Sequence, residues 1–344
     1  DLHRRRHSFP TRRSSDLLFN IVTFLSRLWR NARDIAENFK PDIVIASSTY
    51  PMDIWPAQRI SRLAGARLVY EVHDLWPLSP IELGRMSRWH PFIMLVQWAE
   101  DYAYKHADKV VSMLPKTLDY MVSRGMESNK WTYIPNGVDV SEWQSPAELP
   151  VDVQAVIRSM KGISLPIVGY TGTHGLANAL DVLLDAAALL KGRAQVLLVG
   201  NGPERERLLQ RVVSENLDNV LMLPSVPKAG IPKLLDQIDV AYIGWQPNPL
   251  YRFGISPNKL MDYMMAGLPV VHSVNAGNDP VHESGCGLTV GPNDPEAVAK
   301  AIRELCALTR KERLTLGAKG REFVISHRLY PNLANDFLLG IAAK

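Results

Sequence analysis

The feature that most constrains this chain is an alternation of short apolar runs with longer amphipathic ones, repeated from Leu18 onward. The short runs, such as 42–46 (DIVIA) and 195–199 (QVLLV), are apolar throughout, which predicts strands buried on both faces. The longer runs between them have helical periodicity. This alternation predicts an α/β protein in which helices cover parallel sheets.

The predicted elements form two series. The predicted strands are 42–46, 68–72, 109–112 and 131–134, then 167–171, 195–199, 219–223, 240–243, 269–272 and 288–290. The predicted helices are 18–40, 51–64, 92–106 and 115–123, then 177–191, 203–216, 228–235, 257–266, 295–308, 310–325 and 330–343. The turn Pro135-Asn136-Gly137 and a polar stretch through Pro150 lie between the series, so we place a boundary near 145–162. The predicted domains are 18–150 and 151–344.

The amino-acid composition argues against several classes of function. The 344 residues include 39 Lys and Arg and 35 Asp and Glu. Residues 1–17 hold five of the arginines and two of the aspartates, and the remainder carries 34 basic and 33 acidic residues. This balance does not support a nucleic-acid surface. With two cysteines, Cys286 and Cys306, no disulfide framework is expected, which favours a reducing, cytoplasmic compartment. No apolar run reaches the ~18–20 residues of a membrane span.

Residues 1–17 (DLHRRRHSFPTRRSSDL) have almost no apolar content and no periodicity. An Arg- and Ser-rich transit peptide is one interpretation. We favour another, because RRRHSFPTRRSSDL is similar to translated sequencing-adapter read-through at the ends of truncated genes. We therefore expect a non-native or disordered segment, and a truncated N-terminal domain after it.

The segment 252–263 (RFGISPNKLMDY) is the most informative for chemistry. Ser256 is a good helix N-cap and Pro257 suits the first helical position. Free backbone N–H groups at a helix start bind anions. Lys259 is unfavourable there unless an anion is bound, and Asn258, Lys259 and Asp262 share a face. This set suits a diphosphate beside a ribose diol, although a solvated helix start with incidental charges would give the same sequence.

Two glycine-rich loops and a histidine follow predicted strands. The loop 200–204 (GNGPE) is not a full dinucleotide fingerprint, because position 205 is Arg rather than the third glycine. The loop 169–175 (GYTGTHG) has glycines at which a phosphate could approach the backbone. His73, in EVHDLWP, lies at the end of a strand where ligands bind in such sheets. Each of these also has a purely structural interpretation. Neither zinc-ligand spacing nor a G-x-S-x-G nucleophile elbow is present in the sequence.

Taken together and in this order, the motifs resemble those of family-4-type retaining glycosyltransferases with the GT-B fold, from Leu18 to the C-terminus. The motifs are EVHDLWP, YIPNGVD, GYTGTHGLANALDVLLDAA, VLLVGNGPERERL, NVLMLPSVPKAGIPKLL, FGISPNKLMDYMMAGLPVV and ESGCGLTVGPND. The branch is similar to N-acetylfucosamine transferases of O-antigen and capsule synthesis. The resemblance implies two facing Rossmann-like domains and a UDP-linked sugar donor, without a cofactor or metal.

The resemblance also implies roles for individual residues. Catalytic roles fall to His73, near the transferred sugar, and to Lys259. The implied donor-binding residues are Gly172, Thr173, Gly200, Gly202, Val226, Ser256, Pro257, Asn258, Lys259 and Asp262. Asn136 lies in the implied hinge turn. The chain departs from the family pattern at Gly254, where the first acid of the E-x7-E motif would stand, and the family's first strand and its glycine-rich loop are missing.

The implied acceptor is a polyprenyl-diphosphate-linked saccharide at the inner face of the cytoplasmic membrane. The segment 85–95 (RMSRWHPFIML) mixes cations with aromatic residues and could touch lipid, or could simply lead into a packed helix. Three other functions stay open at this point. They are a UDP-N-acetylhexosamine epimerase of the same fold, a nicotinamide dehydrogenase, and a truncated, inactive chain that only binds nucleotide.

Overall fold

The computed structural model describes residues 11–47 and 49–342, which form two compact units. The first unit contains Thr117–Tyr133 together with the described residues up to Met113 and from Phe337 onward. The second contains Leu114–Lys116 and Ile134–Asp336. Each unit is built on one parallel sheet with helices, so the predicted α/β class is confirmed.

The first unit has a four-stranded parallel sheet in the order β1-β2-β3-β4. Its strands are β1 (Ile43–Ala46), β2 (Arg67–Val72), β3 (Lys109–Ser112) and β4 (Trp131–Tyr133). Its helices are α1 (Thr11–Arg30), α2 (Ala32–Phe39), α3 (Ile54–Ala64), α4 (Leu78–Glu82), α5 (Pro91–His106) and α6 (Leu118–Ser123). All four residues of β3 are buried, whereas β1 lies at an edge of the sheet, with Ile43 and Ile45 exposed.

The second unit has a six-stranded parallel sheet in the order β10-β9-β8-β5-β6-β7. Its strands are β5 (Ile167–Thr171), β6 (Gln195–Val199), β7 (Val220–Leu223), β8 (Val240–Gly244), β9 (Val270–Ser273) and β10 (Gly287–Val290). Strand order reverses at β5, which pairs with β6 on one side and β8 on the other. Ligands of open α/β sheets bind beyond the carboxyl ends of the strands at such a point.

Ten helices belong to this part of the chain, the last of them shared between the units. They are α7 (Ser141–Gln144), α8 (Val151–Gly162), α9 (Leu180–Ala188), α10 (Arg205–Ser214), α11 (Ile231–Leu235), α12 (Asn258–Met265), α13 (Pro280–Ser284), α14 (Pro295–Ala307), α15 (Arg310–His327) and α16 (Tyr330–Ala342). Two clusters of buried apolar residues pack in this unit. Ala241, Ile243 and Leu260 belong to one, and Val240, Tyr242 and Leu183 to the other. Consecutive residues of β8 thus alternate between the two clusters, as expected for a strand covered on both faces.

Several predicted element bounds were wrong. The predicted helix 18–40 is two helices, with a break at Asn31. Residues 11–17, predicted to be non-native or disordered, are helical in α1, because neither Pro nor Gly interrupts the run from Thr11 to Arg30. Residues 1–10 of that predicted segment lie outside the described residues.

The predicted boundary stretch 145–162 was also wrong in part, because residues 151–162 form α8. Val153, Ile157 and Met160 recur at helical spacing and are buried in the second unit. The polar, proline-containing sequence just before them concealed this periodicity.

The division between the units lies nearer to Tyr133 than to the predicted position at 150. Residues 134–150 join the second unit through backbone contacts: Val138 bridges Leu329, and the Ala147 N–H donates to the Ala229 carbonyl at 2.8 Å. The last turns of α16 return to the first unit, where the Arg67 guanidinium donates to the Ile341 carbonyl.

Candidate functional site

A half-buried ammonium group lies at the carboxyl edge of the second unit's sheet. Lys259 is the second residue of α12, and its Nζ donates to the Tyr170 hydroxyl at 2.9 Å and to Asn178 Oδ1 at 2.6 Å. Both acceptors are neutral, and no carboxylate within the described residues pairs with this lysine. Burial lowers the pKa of Lys259 to about 8. The site therefore holds a positive charge that lacks a counterion.

The loop after β5 is fixed around this ammonium. The Tyr170 hydroxyl and Asn178 Nδ2 both donate to the Thr173 carbonyl, at 2.8 and 2.9 Å. A Cβ atom at Gly172 would lie 3.4 Å from Lys259 Nζ. Two predicted donor-binding residues, Gly172 and Thr173, thus lie beside Lys259, and the same two side chains that hold the lysine also hold the loop.

The two glycine-rich loops pack on each other. The Gly172 N–H donates to the Val199 carbonyl at 2.9 Å. A Cβ atom at Gly200 would lie 1.8 Å from the Gly172 carbonyl oxygen, and one at Gly202 would lie 2.4 Å from the His174 carbonyl oxygen. Loop packing alone therefore accounts for glycine at positions 200 and 202. Their predicted place along the nucleotide stays a prediction.

The start of α12 differs from the sequence prediction. Pro257, not Ser256, is the N-cap residue, and Asn258 is the first helical residue. Ser256 cannot cap the helix because its Oγ accepts from the Asn136 N–H at 2.8 Å, while Asn136 Nδ2 donates to the Ser256 carbonyl at 2.6 Å. No side chain of the described residues caps this helix. Its first N–H groups therefore remain available to an anion.

Asp262 lies one turn further along α12 but has other neighbours than Lys259. Its carboxyl is half-buried, desolvation raises its pKa to about 6, and the nearby charges are Lys228 and Glu142. The exposed Lys228 and Glu142 side chains pair with each other. Val226 lies two residues before Lys228 and is half-buried against the core. Lys259 and Asp262, the predicted phosphate-binding and ribose-binding residues of α12, thus lie in two different environments.

The backbone conformation at Gly254 accounts for the missing first acid of the E-x7-E motif. Its φ of +105° lies in the region that favours glycine. A Cβ atom there would meet Pro115 Cδ at 2.5 Å and Asn278 Oδ1 at 2.9 Å. Asn278 is itself engaged, because its Oδ1 accepts from the Ile255 N–H at 2.7 Å. A longer side chain at this position would therefore require the backbone to move.

The sequence analysis gave His174 no role, yet its environment is unusual. The side chain is fully buried, and neither ring nitrogen has a partner among the described residues. Burial, together with the positive charges of Arg205 and Lys259, lowers the pKa of His174 to about 4. The ring is therefore neutral at pH 7. Its position directly after a strand, in a glycine-rich loop, was the signal that could have identified it.

In the first unit, His73 belongs to a polar cluster at the carboxyl ends of β1 and β2. The Ser47 hydroxyl donates to Glu71 Oε2 at 2.5 Å and lies 2.9 Å from His73 Nε2. A hydroxyl has one proton, so Nε2 is the donor in its bond to Ser47. Sequence reasoning missed Ser47, although it follows β1 as His73 follows β2. The structure describes this cluster and the Lys259 site in separate units.

Among the described residues, no group of three or more His, Cys, Asp or Glu side chains is placed to hold a metal ion. The part of the chain that the structure describes also contains no helix long and apolar enough to cross a membrane.

Two glycosyltransferase family descriptions match the chain. Residues 1–137 match the glycosyl transferase 4-like domain, and residues 165–307 match glycosyl transferases group 1. The probable glycosyltransferase WbjE of Pseudomonas aeruginosa is 21% identical over 298 residues, covering 85% of this chain and 71% of that protein. The putative colanic acid biosynthesis glycosyltransferase WcaL of Salmonella typhimurium is 27% identical over 177 residues, covering 48% and 43%.

The fold is shared with solved structures. HepE of Anabaena in complex with UDP has a TM-score of 0.70 at 18% identity, covering 92% of this chain and 81% of that one. The α/β fold with two parallel sheets is thus that of GT-B enzymes. The chain carries a glycosyl transferase 4-like domain followed by a group 1 domain, and it is a glycosyltransferase.

Proposed function

We propose that this enzyme transfers a sugar from a UDP-linked donor to a lipid-linked saccharide, with retention of anomeric configuration. The observation that carries the proposal is the half-buried Lys259 ammonium, which is held by two neutral oxygens and lies in the first turn of an uncapped helix. A diphosphate would supply the missing counterion. HepE, which shares the fold, is known in complexes with UDP and with UDP-glucose.

The proposed mechanism assigns charge stabilisation to the second unit. As the bond between the sugar and the diphosphate breaks, negative charge develops on the departing oxygen. Lys259 and the free N–H groups of α12 stabilise that charge, and their positions are fixed before the reaction. Asp262 is proposed to bind ribose hydroxyls and Val226 the base, as the family resemblance implies. His73 is proposed to contact the transferred sugar.

The biological role is proposed from the resemblance and the relatives together. The motifs are similar to those of N-acetylfucosamine transferases, and WcaL is described as a colanic acid biosynthesis enzyme. We therefore propose an N-acetylated deoxyhexose or hexosamine as the sugar, and a polyprenyl-diphosphate-linked saccharide of O-antigen or capsule synthesis as the acceptor. Such an acceptor places the enzyme in the cytoplasm, at the inner face of the membrane.

Calorimetric titration with UDP, GDP and NADH tests the donor proposal. UDP is expected to bind, and Lys259→Ala to weaken UDP about 10- to 100-fold, because a charge-assisted bond to phosphate is lost. Lys233→Ala is the matched control, since Lys233 is a half-exposed lysine paired with Glu148. NADH binding in place of UDP, or an unchanged affinity in the Lys259 variant, contradicts the proposal. A product assay with UDP-N-acetylhexosamine separates transfer from epimerisation.

A further inference from the structure

The first unit contains a groove that the proposed reaction does not use. It lies between α1, α3 and α5 and has a volume of about 870 Å³. Three tryptophans and three arginines dominate its lining: Trp29, Trp55, Trp98, Arg30, Arg59 and Arg62. None of the residues that line it is acidic.

The aromatic rings and the cations are arranged together. The Trp55 and Trp98 ring centroids are 4.9 Å apart, and the Arg59 guanidinium carbon lies 4.7 Å from the centroid of Trp29. Trp29 is 45% exposed and Trp98 is 60% exposed, so both rings reach solvent. Tryptophan combines a large apolar surface with one N–H donor, and is enriched where apolar and aqueous phases meet.

The charge of the groove is uncompensated. Within the described part of the chain, no carboxylate pairs with Arg30, Arg59 or Arg62. Arginines remain protonated at every accessible pH, so the groove presents three fixed positive charges next to indole rings. A partner that fits must be anionic and must accept aromatic side chains.

The surface extends beyond the groove along two helices. On α1, Phe19 is 72% exposed, and Val22 and Trp29 follow on the same side at helical spacing. On α5, Met94 and Leu95 are exposed one turn before Trp98. The exposed apolar residues thus continue from the groove over both neighbouring helices, and contiguous exposed apolar residues rimmed by polar ones mark interaction sites.

We propose that this Trp–Arg groove docks the enzyme on an anionic phospholipid bilayer. The indole rings enter the headgroup region, and the three arginines contact lipid phosphates. The proposal rests on the proposed membrane contact of the enzyme; it keeps Met94 and Leu95 of the segment 85–95 but moves the centre of the contact to the groove. In that segment Phe92 packs edge-on against Trp76, with ring centroids 6.3 Å apart, so it is not free to enter lipid.

Vesicle flotation tests this surface. The chain is mixed with vesicles of phosphatidylcholine alone, or with one third phosphatidylglycerol. Binding is expected only to the anionic vesicles and should weaken as salt increases. Arg59→Gln combined with Arg62→Gln should lower the partition coefficient about tenfold or more. Trp98→Ser should lower it without changing its salt dependence.

Trp89→Ser is the matched control, because Trp89 is 76% exposed but lies outside the groove. It is expected to float like the unaltered protein. UDP titration of every variant shows that the donor site is intact, and near-UV circular dichroism shows that the first unit keeps its fold, so a failure of docking is distinguishable from a failure of the donor proposal.

Three outcomes would overturn the proposal. One is the absence of flotation with anionic vesicles. Another is loss of flotation in the Trp89 variant but not in the groove variants, which would return the contact to 85–95. The third is concentration-dependent dimerisation that Trp98→Ser abolishes, seen by analytical ultracentrifugation, since a second copy would then cover the groove.

Discussion

Glu100 in the first unit and Lys259 in the second are ionisable side chains held by neutral partners, and their environments differ in a useful way. In the first unit, Glu100 accepts from the Tyr104 and Tyr120 hydroxyls and from Gln97 Nε2, and it is fully buried. In the second, Lys259 donates to Tyr170 and Asn178. Burial raises the pKa of Glu100 to about 7 and lowers that of Lys259 to about 8.

The two sites differ in whether hydrogen-bonding groups remain without a partner. Glu100 is enclosed in the first unit by three donors that side chains supply. The Lys259 ammonium has three protons and two acceptors, and it lies next to an uncapped helix start. An ionisable group with neutral partners thus has a structural role where it is enclosed, as Glu100 is. It can bind a ligand where its donors remain unpaired at the carboxyl end of a strand, as at Lys259.

Removing the enclosed acid should have the largest effect. Glu100→Ala removes the acceptor of the buried Tyr104 hydroxyl and one bond each of Tyr120 and Gln97, and should lower the free energy of unfolding of the first unit by about 3 kcal/mol. Glu100→Gln, which keeps the size and one acceptor, should lose about 1 kcal/mol at pH 5. Native-state hydrogen exchange of the β2 and β3 amides measures both. Equal losses in the two variants would show that the hydrogen bonds to Glu100 contribute little.

The same acid makes the first unit sensitive to pH. Its folded-state pKa, about 7, lies above the ordinary value of 4.5, so folding favours the protonated form. The stability that it contributes is fully present below pH 4.5 and is lost as the pH rises through 7. Hydrogen exchange in β2 and β3 should therefore quicken between pH 5 and 8, after correction for the intrinsic rate. In Glu100→Gln this contribution should be absent, and a persisting pH response would assign it to another group.

A counterion beside Lys259 should make its environment resemble that of Glu100, in which the charged group is fully paired. Asn178→Asp is isosteric and places a carboxylate at the 2.6 Å contact with Lys259 Nζ. UDP should bind about 10- to 100-fold more weakly, because its diphosphate must compete with that carboxylate. Asn178→Ala removes the contact without adding charge, and its loss should be smaller. Stronger UDP binding in the aspartate variant would show that the diphosphate binds elsewhere.

A smaller effect is expected from pH alone. Lys259 must be protonated to attract a diphosphate, and its pKa in the free enzyme is about 8. UDP affinity should therefore be level below pH 7 and fall by up to about tenfold for each pH unit above 8. Asn178→Asp should move this fall to higher pH, since a carboxylate stabilises the ammonium. Titrations at pH 7, 8 and 9 measure it, and an affinity independent of pH would exclude Lys259 from the phosphate site.

Much of the fold could be predicted from the sequence, because buried parallel strands are read as unbroken apolar runs. The strands 167–171 and 195–199 have the predicted bounds. Amphipathic helices that follow a proline-containing stretch were harder to predict, as α8 shows. A local propensity was overridden at Ser256, whose hydroxyl meets Asn136, 120 residues earlier, rather than capping its own helix. Contacts across such distances leave no local pattern.

The site was predictable in part for the same reason. Lys259 was identified from its unfavourable place at a helix start, a local property. Its partners Tyr170 and Asn178 lie in β5 and in the segment that follows it. No spacing rule connects these two positions to Lys259. Ser47 was missed because a single serine after a strand is common. His174 was overlooked although it follows a strand in a glycine-rich loop, because its burial cannot be read from the sequence.

The return of α16 to the first unit has a consequence for synthesis. Thr132 in β4 lies so close to Gly340 that a Cβ atom there would be 2.6 Å from its methyl group, and Arg67 donates to the Ile341 carbonyl. The ribosome makes residues 337–342 only after all of 134–336. The first unit is therefore begun first and completed last. Until these last turns are made, the surface of the first unit that they cover stays exposed.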